Sequence, residues 1–452
     1  MAVSLLLPWK VEPSEDMGLS WLVGYFALAG LAILQASLVA LQTWEHRRFA
    51  RSRLRNLERC RPTGRVMVCA PFKGMDTALE TNLRCLLTQD YDDYEVTFVV
   101  QSAWDPAWAL IRRLMVEYPE VPSRLLVAGR ARGCGQKIHN LRVATRDVPP
   151  EVEYLAFVDS DAQPRREWLR ALIARVNSAK GGAATGYRWF LPCRSSLANH
   201  LLYSINCGVA LLFGSTGPNF VWGGSWAIRR EVFESIRLRK AWKGTLSDDL
   251  VASRVLYQNG LRVKFEPACV VASPLEGNLW QMFSFIRRQY IIGRFYMAAW
   301  WLGAIVFVTL PNVVLLASVA AVAWSLATGT PHILVPAGIC AVLYGLKVYR
   351  GRIRQDLGRL YFPQYRQTLS GARRFDIWAG ALAELVNWIG LIASIFGRQI
   401  TWRGITYRLY RGGQMEIVRH ENELIGLDID GQEDQIESSA TLKRPIPYRE
   451  VG

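Results

Sequence analysis

The chain has no C-x-x-C pair among its eight cysteines, no zinc-finger, helix-turn-helix or RNA-binding signature, and far fewer acidic side chains (38) than basic ones (54). The scattered cysteines argue against a disulfide or zinc framework. Most lie in apolar runs, where a thiol packs as a small hydrophobe, and this points to a reducing compartment. The missing nucleic-acid motifs matter because the net charge of +16 would otherwise suggest such a partner. The basic residues sit instead beside apolar segments, as in His46, Arg47, Arg48, Arg51, Arg53 and Arg55, where they suit anionic headgroups and the cytoplasmic side of a membrane. No nucleic acid and no obligate protein partner are expected. No cleavable leader is expected either, because Glu12, Glu15 and Asp16 precede an apolar run too long for one.

Charge is also missing locally. Across 452 residues, 51% hydrophobic and with 17 Trp, it thins out at 18–44, 298–328, 331–347 and 377–396, whereas 45–290 reads as an ordinary globular composition. An N-terminal segment (1–17) therefore precedes a transmembrane helix at 18–44, since roughly 20 apolar residues suffice to span a bilayer. A cytoplasmic domain follows at 45–290. Within 291–349 the spacing predicts two further crossings, 298–328 with Pro311 as a source of tilt or kink, and 331–347. A basic cytoplasmic or interfacial segment (350–376) leads to 377–396, which either crosses or re-enters, and in which Glu384 is costly at membrane depth unless it faces protein, water or a polar substrate group. The stretch 397–417 is cytoplasmic, and the acidic tail 418–452 is expected to be disordered.

Inside the soluble domain, short apolar runs at 65–71, 95–101, 123–128 and 154–159 alternate with helix-like stretches at 75–88, 105–117, 138–145 and 165–177. Such alternation predicts an α/β fold with a mostly parallel sheet, whose ligands bind beyond the carboxyl ends of the strands. Pro71, Phe72, Lys73 and Gly74 leave the first run as a loop able to meet a nucleotide, or as a plain strand-to-helix turn. Asp159-Ser160-Asp161 leaves the fourth. Two carboxylates at i and i+2 there repel each other and cost desolvation unless a cation sits between them, and hard oxygen ligands suit Mg²⁺ or Mn²⁺ carrying a diphosphate. Asp248-Asp249 opens a helical pattern. Helix capping explains one of them, and a base for removing a hydroxyl proton would explain the other. Arg287, Arg288, Gln289 and Tyr290 form a basic cluster suited either to interfacial snorkelling or to neutralising a departing diphosphate. The apolar stretch 191–214 is either a core helix or one wall of an acceptor path.

With these residues in place, the chain resembles family 2-type glycosyltransferases of the GT-A fold, most of all the ceramide glucosyltransferases and bacterial relatives that glycosylate hopanoids or sphingolipids. The resemblance rests on Val100-Gln101 with Asp105-Pro106-Ala107, Lys137-Ile138-His139-Asn140-Leu141, Asp159-Ser160-Asp161, Asp248-Asp249, and Thr401-Trp402-Arg403 with Tyr407-Arg408-Leu409 and Gly412-Gly413. It implies a Rossmann-like GT-A domain joined to transmembrane helices, in a bacterial inner membrane or a eukaryotic Golgi or ER membrane. It implies inverting transfer of one sugar from a UDP-sugar to a lipid hydroxyl. Asp249 would be the base with Asp248 beside it, and Arg288 falls at the arginine of the family's (Q/R)-x-x-R-W motif. Asp159 and Asp161 would hold the divalent cation. Pro71, Lys73, Gln101, Asp105, Lys137 and Asp159 would meet the donor, and Gly224, Trp226, Gln289 and Glu384 the acceptor. Three positions depart: Ser102 stands where the family carries an aspartate, and Phe285 and Gln289 replace the outer residues of the arginine motif. A processive polysaccharide synthase shares the carboxylate series, and those departures also admit a non-catalytic membrane scaffold.

Overall fold

The computed structural model describes residues 15–178 and 182–420. The expected tail is thus almost wholly outside the described residues, apart from 418–420.

A long helix, α1 (Glu15–Arg55), leads into the soluble domain. There, β1 (Arg65–Pro71), β2 (Tyr94–Val100), β3 (Ser123–Val127), β4 (Val152–Val158), β5 (Ala183–Pro192), β6 (Ser225–Arg229) and β7 (Val263–Leu275) form one sheet in the order β3-β2-β1-β4-β6-β5-β7. Only β6 runs against its neighbours; β1, β2, β3 and β4 pair in parallel, as do β5 and β7. The α/β expectation holds. Crossovers are α2 (Leu79–Leu87), α3 (Pro106–Glu117), α4 (Gln136–Ala144) and α5 (Trp168–Asn177).

Both faces of the sheet are buried, which is why its strands read as unbroken apolar runs. Successive side chains of a strand point to opposite faces. Val66, Val68 and Ala70 of β1 enter one core with Tyr154, Ala156 and Val158 of β4, whereas Met67 and Cys69 enter the other with Leu155 and Phe157. Around these cores lie α6 (Leu197–Ala210), α7 (Arg230–Ser235), α8 (Leu238–Ala241), α9 (Asp248–Gln258) and α10 (Leu279–Tyr296).

Next come α11 (Ala298–Thr328), α12 (Leu334–Tyr361), α13 (Ser370–Trp378) and α14 (Gly380–Ala393). Two helices among the described residues are long and apolar enough to cross a membrane, Leu22–Arg55 within α1, and α11. They pack with α12 through Ala29, Ala32, Val314, Ile339 and Leu343. Pro311 lies inside α11, and with no N–H it leaves the carbonyl four residues earlier without its helical donor. Gln35 of α1 supplies the missing bond, its Nε2 lying 2.7 Å from the Phe307 oxygen.

Two expected boundaries change. The segment 331–347 is not a separate short span but the apolar half of α12, which continues through Arg350, Arg352, Arg354 and Arg359 because nothing breaks the helix before Phe362-Pro363. The run 377–396 is likewise divided, with a 78° bend between α13 and α14. Buried Asp376 fixes that bend. It receives Arg354 (2.9 and 2.5 Å) and Ser204 (2.5 Å), together with Gln355.

The segment after α14 folds back as a three-stranded antiparallel sheet, β8 (Gln399–Trp402), β9 (Ile405–Leu409) and β10 (Met415–His420). Its Ile400, Ile405, Tyr407 and Leu409 enter the same core as Leu246, Ile291 and Tyr296. The hairpin of Arg403 and Gly404, both at positive φ (52° and 75°), therefore ends up beside the carboxyl end of the main sheet.

Candidate active site

The sheet's carboxyl edge collects the polar residues. After β1, Lys73 donates to the Gln101 side chain at the end of β2 (2.6 Å). Asp105 caps α3 by accepting from Ala107 N (2.9 Å), and both its oxygens accept from Gly74 N (3.0 Å). Asp105, expected at the donor, thus works as a clasp on the loop that carries Lys73. Ser102 accepts from Trp104 N (3.2 Å) in the same turn.

After β4, the carboxylates of Asp159 and Asp161 stand at the centre of the edge. Lys137 of α4 places its ammonium 2.7 Å from Asp159 Oδ1 and 3.0 Å from Asp248 Oδ1. Burial alone would lower the Lys137 pKa, but Asp159, Asp248 and Asp249 outweigh it and hold the ammonium above its usual range. Asp248, almost fully buried, is pushed up to about 7 by burial, against the opposing pull of Lys137. Asp161 is also raised, chiefly by burial and against Arg188, which lies 3.5 Å away, and it accepts from Ser273 Oγ (3.2 Å).

Asp249, in the first turn of α9, accepts from Gly223 N (3.1 Å), Ser247 Oγ (2.5 Å) and Leu250 N (2.8 Å). Both acidic residues are helix-favoured there, yet they do different things: Asp248 turns inward to Lys137, and Asp249 faces the Gly223-Gly224 turn. A Cβ at Gly223 would come 2.7 Å from Asp248 Oδ2, and one at Gly224 2.9 Å from Asp159 Oδ2. These glycines are needed for close approach. Gly224 thereby lies against the carboxylate cluster.

Opposite the carboxylates stand three arginines. Arg188 rises from β5 between the rings of Phe190, Trp222 and Phe285, at 5.0, 5.4 and 5.3 Å. Arg288 of α10 donates to Thr401 O (3.3 Å), and its pKa is lowered to about 10 by burial and by neighbouring Arg188 and Arg403. Arg403 donates to Lys73 O (3.0 Å) and to Asp76 Oδ1 (2.6 Å). Asp76 also receives Ser160 Oγ. Three cations held together against mutual repulsion, with carboxylates beside them, suit an anionic ligand. Sequence reasoning missed Arg188 and Asp76. A lone arginine within the apolar run GYRWF was the available signal for the first; nothing local marked the second.

Other expected residues stand apart. Trp226 is completely buried in β6, stacked on Phe157 with centroids 4.2 Å apart, so it is core packing and reaches no acceptor. Gln289 is exposed, without a hydrogen bond to the site among the described residues. Glu384 pairs with Lys347 and lies 3.8 Å from Arg350, which ties α14 to α12. Pro71 ends β1 behind Lys73.

The residues fit a hard divalent cation. Asp159 and Asp161 offer carboxylate oxygens of the kind such a cation takes, and beside them buried Asp248 Oδ2 has no hydrogen-bond partner. Among the described residues, no three His, Cys, Asp or Glu side chains form a cage that could hold an ion alone. A cation there would complete its shell from ligand oxygens and water.

Several known proteins are similar to this chain. Curated relatives include ceramide glucosyltransferase 3 of Caenorhabditis elegans, 33% identical over 83 residues (18% of each chain), and the ceramide glucosyltransferase of Komagataella phaffii, 34% identical over 61 residues (14% of this chain, 12% of the relative). The matched stretches thus span less than a fifth of those relatives. Among solved structures, the mannosyltransferase PcManGT from Pyrobaculum calidifontis, in complex with GDP-Man and Mn²⁺, is 18% identical. The overlap covers 80% of this chain and 99% of that one, with a TM-score of 0.43, too loose to add to the topology above. The model of glycosyl transferase family 21 matches residues 26–415. The chain belongs to that family.

Proposed function

We propose that this enzyme transfers a single sugar from a UDP-sugar to the hydroxyl of a membrane lipid of the ceramide or hopanoid class, with inversion. The observation that carries the reading is the convergence of Asp159, Asp161, Lys137, Asp248 and Asp249 with Arg188, Arg288 and Arg403 at the sheet edge, on a domain continuous with α1 and α11. Asp249 takes the acceptor proton as the new bond forms at the anomeric carbon, and the bond to the diphosphate breaks on the opposite face. The arginines and Lys137 receive the charge left on UDP. A divalent cation (Mn²⁺ or Mg²⁺) held by Asp159 and Asp161 would add to that neutralisation. The basic ends of α1 and α12 support a cytoplasmic catalytic domain.

Lipids extracted from cells with and without the gene, compared by mass spectrometry, should differ by one monoglycosylated species. Asp249→Asn should abolish that species while purified protein still binds UDP with Mn²⁺. A ladder of longer glycans would favour a processive synthase, and absence of UDP binding would favour a scaffold.

A further inference from the structure

Asp76 is a carboxylate at the sheet edge that the proposed transfer leaves unused. It follows β1 on the loop that also carries Lys73, and both its oxygens are committed: Oδ1 accepts from Arg403 (2.6 Å) and Oδ2 from Ser160 Oγ. Its part in the site therefore runs through these two partners. Ser160 is the middle residue of Asp159-Ser160-Asp161, and its carbonyl accepts from Asn82 of α2 (2.7 Å). Arg403 stands at the tip of the hairpin between β8 and β9, neighbours Arg288, and also donates to Lys73 O (3.0 Å). One carboxylate thus joins the loop after β1, the loop after β4 and a hairpin 327 residues away along the chain.

Holding the hairpin down does not require this contact. Ile400, Ile405, Tyr407 and Leu409 already bury it against the second core, and an ion pair whose arginine is 35% exposed adds little to stability. The backbone at both ends of the contact is nevertheless held where side chains rarely sit. Among the described residues, the non-glycines at positive φ are Ala78, Arg237 and Arg403; Ala78 (60°) comes two residues after Asp76, and Arg403 (52°) is its partner. A two-residue hairpin loop between paired Trp402 and Ile405 favours asparagine at its first position, so arginine is costly there. Strain of this kind persists where the surroundings fix a side chain for use.

We propose that Asp76 is a positioning residue of the donor site. Through Arg403 it aims a guanidinium at the diphosphate and holds it against the repulsion of Arg288; through Ser160 it sets the loop from which Asp159 and Asp161 meet the divalent cation. The hairpin between β8 and β9 is thereby one wall of the donor site. The inference rests on the nucleotide-sugar and cation reading above.

The test titrates full-length protein in detergent micelles with UDP by calorimetry over a range of Mn²⁺ concentrations, so that binding is read without turnover. Arg403→Gln should raise Kd for UDP about tenfold at saturating Mn²⁺, the scale of one charged hydrogen bond, and leave the Mn²⁺ concentration for half-maximal UDP binding unchanged. Ser160→Ala should do the converse, raising the Mn²⁺ requirement with UDP affinity unchanged once Mn²⁺ saturates. Asp76→Asn, close to isosteric, should show both effects. Added to Arg403→Gln, it should not raise Kd further at saturating Mn²⁺, because the arm it acts through is already gone. Asp76→Asn with wild-type affinity and Mn²⁺ requirement, whatever its Tm, or full additivity with Arg403→Gln, would overturn the inference and leave the transfer reading intact. Should Asp76→Asn fail to fold, the converse responses of Arg403→Gln and Ser160→Ala carry the test, and identical responses in the two would overturn it. Wild-type protein that binds no UDP with Mn²⁺ overturns both readings.

Discussion

Lys137 shows how one side chain organises this site. Its ammonium touches both Asp159 and Asp248, so removing it leaves two nearby carboxylates without the cation they share. Lys137→Met is expected to lower kcat/KM roughly ten- to a hundredfold, the scale of a charged hydrogen bond. Its stability should also depend more steeply on pH. Asp248 is an acid with a raised pKa, so its neutral form is favoured in the fold; that contribution is present below the usual carboxylate range near 4 and lost as pH rises through about 7. Without Lys137 the pKa climbs further, and the difference in Tm between wild type and variant should widen from pH 4 to pH 8. A constant difference would show that Lys137 does not bear on Asp248. At this scale the residues legible in advance were those carrying charge out of apolar runs. Arg188 and Asp76 were not, because their importance comes from neighbours far along the chain.

Single elements give a different lesson. Strand β6 follows a glycine pair as Trp226-Ala227-Ile228, and alternation alone does not say which face Trp226 takes. The antiparallel pairing with β4 sets Trp226 opposite Phe157 and turns it into the second core. Trp226→Ala should therefore cost about 3–5 kcal/mol of stability, seen as a large fall in Tm, while the folded fraction keeps its KM for acceptor. A rise in KM without a thermal shift would return Trp226 to the acceptor side. Helix α12 illustrates the same limit. Its apolar first half suggested a short span ending at 347, yet arginines are good helix formers and the chain continues to Tyr361, where Leu357 and Tyr361 enter the first core.

For the molecule as a whole, α1 enters the catalytic domain at its C-terminal end and α11 leaves it at its N-terminal end, so both contact the domain from one side of the bilayer. Thr330, exposed at the turn between α11 and α12, should then face the opposite side. Cysteine placed there (Thr330→Cys) should react with an impermeant maleimide in intact cells, whereas native Cys193, exposed on the domain, should react only after permeabilisation. The reverse pattern would invert the orientation.

The sequence by itself determined the two long apolar helices, the mostly parallel α/β domain and the aspartates. Uncharged runs, buried-strand patterns and carboxylates at strand ends are local signals, each readable within a few residues. Only the tertiary structure decided which of the polar residues meet. Arg188 of β5, Arg288 of α10 and Arg403 of the final hairpin come together because β8, β9 and β10 bury Ile400, Ile405, Tyr407 and Leu409 against the domain's second core. That apolar docking brings Arg403, which follows the long helices in the chain, back to Asp76, and no spacing along the chain encodes such a contact.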